Sequence, residues 1–214
     1  METTQITSAP TPAGNEAEQT RLSQASLERL FLQARSHAAW QDKPVTEDQL
    51  HALYNLAKWG PTSMNCLPMR LVFLRSAAAK ARLQPMLAEG NVDKVLTAPV
   101  TVIVAHDTQF YEHLPRLFPY FETARDMYAN NAPLSKQTAL RNSSLQGGYL
   151  ILAARSLGLD IGPMSGFDNA EVDREFFPDG RYASNFLLNL GYGDPQALPP
   201  RGPRFEFEDV CAIL

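Results

Sequence analysis

Apolar residues recur at helical spacing in some stretches of this chain and run unbroken in others, and the alternation of the two lays out its elements. Leu27, Leu30, Phe31 and Ala34 stand at i, i+3, i+4 and i+7, which predicts a helix ending near Arg35-Ser36-His37. A second stripe, Leu50, Leu53, Tyr54 and Ala57, follows Thr46 and Gln49 at capping-box spacing and stops at Gly60-Pro61. The longest helical pattern runs from about Lys136 to Leu157 and would span on the order of 30 Å, the width of a small domain. Leu71–Leu74, Val100–Ala105 and Phe186–Leu190 are short, mostly apolar runs that read as buried strands, and Val100–Ala105, apolar on both faces, is expected to be central in a sheet. Ser76 caps a helix toward Leu87 that Pro85 should kink or shorten, and Asp168 with Glu171 caps another. Helices and strands follow one another without a strict βαβ rhythm, which favours an α+β fold.

The pattern is missing from residues 1–20, which are rich in Thr, Pro, Ala, Glu and Gln and cannot bury enough surface to order themselves. We therefore expect a disordered tail over 1–20 and one domain over 21–214. Within that domain Gly147, Gly148, Ala153 and Ala154 thin one side of the long helix, so that a backbone or a flat ring can approach it. Gly158 should stop the helix. Beyond it, Gly162-Pro163-Met164-Ser165-Gly166 is expected to form a sparsely decorated, strained turn rich in main-chain N–H groups.

Composition narrows the function by exclusion. A net charge of −4 argues against a nucleic-acid footprint, and no apolar run is long enough for a membrane span. The two cysteines, Cys66 and Cys211, are far apart with no CxxC spacing, which suits a reducing cytoplasm better than a disulfide scaffold or zinc site. The chain has no GxGxxG, GxxxxGK, HExxH or Gly-x-Ser-x-Gly motif. Its four histidines show no metal spacing.

Three polar loops remain, and together they suit a flat, phosphorylated cofactor. Arg35, Ser36 and His37 offer charge and donors for a phosphate, with Arg201 and Arg204 as a second cationic pair. Thr62, Ser63 and Asn65 can read the polar edge of a ring. Taken singly, each of these residues reads more readily as a solvated arginine or a turn residue. The segment from His106 to Pro133, aromatic and proline-rich, is a candidate lid.

Arg35-Ser36-His37 ahead of Trp40, Gly60-Pro61-Thr62-Ser63-Met64-Asn65 with Pro68, and Gly158 through Asp168 together resemble the FMN-dependent nitroreductase family, over about residues 21–214. Phe110–Pro115, Arg141–Gly147 and Asn189–Pro195 are similar to the branch that includes a malonic semialdehyde reductase (3-hydroxypropionate dehydrogenase). The resemblance implies a nitroreductase-like α+β fold, a central mixed sheet flanked by helices, in a domain-swapped homodimer with FMN at the interface. It implies that Arg35, Ser36, His37, Arg201 and Arg204 hold the phosphate and ribityl end. Thr62, Ser63 and Asn65 would meet the flavin, Asn142 would lie near the ring, and Met164, Ser165 and Gly166 would line its N5 edge. Many family members carry a further basic residue near Ala38 and a glutamate near Ser165, and this chain has neither.

The implied activity is ping-pong hydride transfer from NADH or NADPH through FMN N5 to a small acceptor: a short carboxylated aldehyde such as malonic semialdehyde, or a nitro compound. His113 and Tyr111 are candidate proton donors, and Arg116 and Arg125 candidate carboxylate partners. The alternative is a flavin-binding or interaction protein without significant turnover.

Overall fold

The structure, a computed structural model, describes residues 21–214; the tail expected over 1–20 lies outside the described residues. The chain divides into a unit ending at Ala34 and a second from Arg35 to Leu214. In the first, Ser23 Oγ accepts the Ser26 N–H and opens α1, Gln24–Leu27. A wider π turn over Glu28–Leu32 follows, closed by Gln33 N donating to Glu28 O at 2.8 Å. Helical structure therefore ends before Arg35-Ser36-His37. Those residues are extended instead, because their backbone is used for pairing inside the second unit: Ser36 bridges Ile161 and His37 N donates to Ile161 O.

The second unit is built on four strands, β1 Met69–Leu74, β2 Val100–Asp107, β3 Asp160–Met164 and β4 Tyr182–Gly191, in the order β1-β2-β4-β3. Every strand pair is antiparallel, so the mixed sheet expected from the resemblance is realised among the described residues only through the single parallel bridge of Ser36 to Ile161. β2 lies inside the sheet and is buried at every position, as the Val100–Ala105 run, apolar on both faces, predicts. Val102 and Val104 join one core with Leu188, Leu190 and Leu150, while Ile103 and Ala105 join another with Leu187, Leu83 and Val172. Alternation along the strand thus feeds two layers.

The first layer holds α2, Glu47–Ala57, and the central helix α7, Ala132–Ser156. Thr46 and Gln49 form the predicted capping box, and Leu50, Leu53 and Ala57 are buried; Tyr54 instead stays about half exposed. With 25 residues α7 extends about 37 Å. It lies tight on the sheet because residue 147 is glycine: a Cβ there would stand 2.5 Å from Cζ of Phe186. Gly158, at φ +79°, ends the helix in the left-handed conformation while Leu159 N closes onto Ala154 O at 3.0 Å.

On the other face pack α3, Ala77–Leu83, α4, Val92–Thr97, and α8, Asn169–Phe176. Pro85 shortens α3, leaving a 3-10 turn over Gln84–Met86. The strained turn expected at Gly162–Gly166 is instead mostly strand: Gly162 to Met164 pair with Asn189 to Leu187, and no positive φ occurs there. Glycine at 162 serves close approach, since a Cβ would lie 2.3 Å from the His37 carbonyl oxygen.

The candidate lid folds as a 3-10 turn, Phe110–His113, followed by α5, Leu114–Leu117, and α6, Ala124–Ala129. Phe110, Leu114, Ala124 and Tyr128 bury into a third cluster with Cys66 and Ala139. The C-terminal residues from 201, including α9, Phe207–Val210, are exposed throughout.

Candidate active site

The most strained backbone of the described residues lies in the loop between α2 and β1. Met64, Asn65 and Leu67 hold left-handed φ values of 50°, 49° and 39°. For side chains other than glycine this costs about 1–2 kcal/mol per residue, and such strain concentrates at functional sites. Two amides one turn apart on α7 hold the loop in place. Asn142, 3 % exposed, accepts the Ser63 N–H on Oδ1 at 2.8 Å and donates Nδ2 to Thr138 O. Gln146 Oε1 accepts the Met69 N–H at 2.9 Å, fixing the point where the loop becomes β1. Inside the loop, Thr62 Oγ1 accepts the Leu67 N–H and Asn65 Nδ2 donates to Leu117 O, while Ser63 is exposed.

A second backbone feature stands at the end of β3. Phe167 N donates to Ser165 O, and a trans peptide directs its N–H opposite to its carbonyl, so the Gly166 N–H points away from that turn. The Gly166 carbonyl accepts from Ala88 N and Asn91 Nδ2, each at 3.0 Å, and a Cβ at 166 would meet that Asn91 nitrogen at 2.6 Å. The N–H groups of Ser165 and Gly166 have no hydrogen-bond partner among the described residues. Met164, by contrast, turns its side chain onto the core between the sheet and α8.

Arg35 donates to the carbonyl oxygen of Pro199, which joins the segment before Trp40 to the stretch carrying Arg201 and Arg204. Arg204 donates to Gly202 O and Pro203 O of its own loop. His37 is turned inward: it is 9 % exposed, its ring lies where a Cβ on Gly193 would stand, and its Nδ1 is buried without a partner among the described residues.

A buried carboxylate organises the other end of β2. Asp107 accepts Arg181 Nε at 2.6 Å and NH2 at 3.1 Å, Arg70 NH2 at 2.6 Å, and the Gln109 N–H at 2.9 Å. Burial alone would raise its pKa. The hydrogen bonds from Arg181 and Gln109 and the charges of Arg70 and Arg181 outweigh that and hold it below the usual carboxylate range. His113 Nε2 is 3.3 Å from the same carboxylate.

Arg70, His113 and Arg116 share the wall of a groove of about 540 Å³ with Leu67 and Leu117, the residues through which it adjoins the strained loop. Arg125 is committed elsewhere, to Glu112 and Asp126. Tyr111 lines a different cavity, so the two candidate proton donors do not converge. Gln146, Asp107, Arg70 and Arg181 were not picked out from the sequence. The only local signal was a polar side chain on the buried face of a helix for Gln146, and at the end of an apolar strand for Asp107.

An antiparallel four-stranded sheet between a long helix and three short ones, with a clamped loop at one end, is the architecture of a recognised class. The chain belongs to the nitroreductase family, whose model it matches over residues 32–192. It is 60 % identical over 194 residues to a Burkholderia lata protein provisionally named NADH dehydrogenase/NAD(P)H nitroreductase, covering 91 % of this chain and 99 % of that one. A Rhodopseudomonas palustris protein with the same provisional name is 60 % identical over 191 residues, covering 88 % and 95 %. Among solved structures, a provisionally named nitroreductase from Exiguobacterium sibiricum in complex with FMN superposes with a TM-score of 0.78 at 22 % identity, covering 91 % of this chain and 100 % of that one.

Proposed function

We propose that this chain binds FMN and, with NADH or NADPH as reductant, reduces a small acceptor, either a short carboxylated aldehyde such as malonic semialdehyde or a nitro compound. The observation that carries the reading is the pair of Ser165 and Gly166 N–H groups, without a partner among the described residues, in a backbone that the bonds of Phe167, Ala88 and Asn91 hold still. They suit acceptor atoms on the edge of a flat ring and meet it without a reorganisation cost. The loop Thr62–Leu67, with Ser63 and Asn65 outward, gives a second set of polar groups for the ring or its tail. Asn142 acts in this scheme as the residue that positions Ser63 rather than as a ring contact. Arg35, Ser36, Arg201 and Arg204 are the proposed phosphate and ribityl region, with His37 supporting it from beneath.

When bound, FMN supplies hydride transfer between nicotinamide and acceptor. The protein's share is positioning and charge. Arg116 has no acidic partner among the described residues, whereas the charge of Arg70 is met by Asp107, so Arg116 is the proposed anchor for an acceptor carboxylate. His113 lines the same groove as Arg116, with Nε2 3.3 Å from the Asp107 carboxylate, which makes it the better placed of the two proton-donor candidates.

The proposed assembly is a domain-swapped homodimer in the cytoplasm. Trp59 in the turn after α2, Leu145 and Tyr149 on α7, and Phe205 and Ile213 in the exposed C-terminal segment offer the apolar area a second copy would cover. No helix among the described residues is long and apolar enough to cross a membrane.

Steady-state kinetics test the reading. NAD(P)H should bleach the flavin of the purified protein anaerobically, and kcat/KM should be higher for malonic semialdehyde than for a bulky nitroaromatic. Arg116→Gln should raise KM for the aldehyde by about tenfold, the loss expected of one charge-assisted contact. A higher kcat/KM for the nitroaromatic would refute the aldehyde assignment, and a colourless protein that takes up no FMN would refute the whole reading.

A further inference from the structure

A second cavity, of about 430 Å³, lies between the ends of β2 and β4, the first turns of α7 and the segment carrying Tyr111 and Tyr128. Its size falls within the range of small-ligand pockets and far exceeds what a single water needs. His106 and Ser135 line it, and they are only 7 % and 5 % exposed. His106 Nδ1 and Ser135 Oγ have no hydrogen-bond partner among the described residues. A buried polar group left in that condition is destabilising, so two of them against one cavity mark a place where the protein is incomplete by itself.

The charge around the cavity selects the kind of molecule that completes it. Lys136 stands at its rim, exposed and without an acidic partner among the described residues. No acid lines it. The carboxylates that act on His106 are Asp107, already held by Arg70 and Arg181, and Asp173, which accepts the Ser184 N–H. Burial pushes the His106 pKa down, which keeps the imidazole neutral at pH 7 as a hydrogen-bonding group and not a second cation. One cation with neutral hydroxyl and imidazole groups matches a monoanion; a phosphate dianion would call for more positive charge. The remaining wall is alanines from α6, α7 and β4 with Tyr128, Tyr111 and Thr108, suited to a compact apolar or aromatic body.

We propose that this cavity binds a small monocarboxylate with a compact apolar or aromatic body, its carboxylate between Lys136 and Ser135 and its body against Tyr128 and the alanines. The site shares no lining residue with the groove of Arg70, His113 and Arg116, and does not depend on the assignment of the acceptor.

The probe is 4-fluorobenzoate, titrated into the purified flavoprotein labelled with 15N-histidine, with the His106 signal identified by its loss in His106→Asn. Flavin absorbance is followed in parallel to report any binding at the flavin. We expect saturable movement of the His106 ring resonances, with the midpoint raised at least about tenfold in Lys136→Gln and for the uncharged 4-fluorobenzamide. Lys136 is exposed, so that variant keeps the fold. An unmoved His106 signal up to about 10 mM probe, where binding is weaker than roughly −2.7 kcal/mol, would overturn the proposal. So would movement that follows the flavin absorbance change with the same midpoint and is indifferent to Lys136→Gln.

Discussion

Removing the side-chain amide of Asn142 tests how the proposed flavin loop is held. In Asn142→Ala the Ser63 N–H loses the acceptor now 2.8 Å away, at a cost of about 1–3 kcal/mol for a part-buried donor. The loop it holds carries Met64 and Leu67 in the left-handed region, together roughly 2–4 kcal/mol above relaxed backbone. The two quantities are of the same size, so without this clamp the loop relaxes for a large part of the time. If the competent conformation falls to roughly a tenth or a hundredth of the population, the apparent Kd for FMN rises by about ten- to a hundredfold. Titration of the FMN-free protein with FMN, read by quenching of flavin fluorescence, measures that change. Gln146→Ala frees Met69 N at the start of β1 rather than the loop itself, and should cost stability more than FMN affinity. An Asn142→Ala Kd within about twofold of the parent would refute the clamp.

Two further outcomes follow from buried titratable groups. Asp107→Asn should cost roughly 2–4 kcal/mol at pH 7, toward the low end for a broken buried pair because the Arg70 and Arg181 side chains keep 25 % and 28 % of their exposure. The folded pKa of Asp107 lies below its unfolded value of about 3.9, so its stabilisation is present above that pH and is lost as pH falls through the folded value. Urea unfolding should therefore show parent and variant converging at acid pH, and a gap independent of pH would contradict the assignment. Burial pushes the Cys66 thiol up to about 11, whereas Cys211 is exposed. Iodoacetamide at about pH 8 should thus label native protein only at Cys211 and both cysteines after denaturation, since the thiolate is the reacting form; mass spectrometry finding Cys66 labelled in the native state would contradict its burial.

What could be read along the chain was whatever depends on residues a few positions apart. The Thr46–Gln49 capping box, the Ser76 and Asp168 caps, the shortening at Pro85, the stop at Gly158 and the run of α7 all rest on contacts within a turn or two, and all are present. The apolar run Val100–Ala105 likewise specified an interior strand, because only an interior position covers both of its faces. Where local preference was ambiguous, tertiary contact decided. Gly162–Met164 resembled a glycine turn but became strand, because β4 offers a ladder on one side and the His37 backbone presses on the other, where only glycine fits. Arg35–His37 left the helical pattern for the same reason, its backbone being taken up by Ile161.

The candidate site shows the division most sharply. Asn142 and Ser63 are 79 residues apart, Arg181 and Asp107 are 74 apart, and neither pairing leaves a trace in periodicity or spacing. The sequence by itself determined the elements, their caps and the polar residue types available. Which amide clamps the strained loop, which carboxylate gathers the arginines and which arginine is left free were decided by the packing of α7 and β4 against the same strands. A side chain's partner across the fold depends on where the chain returns, and that is set by the burial of the whole core.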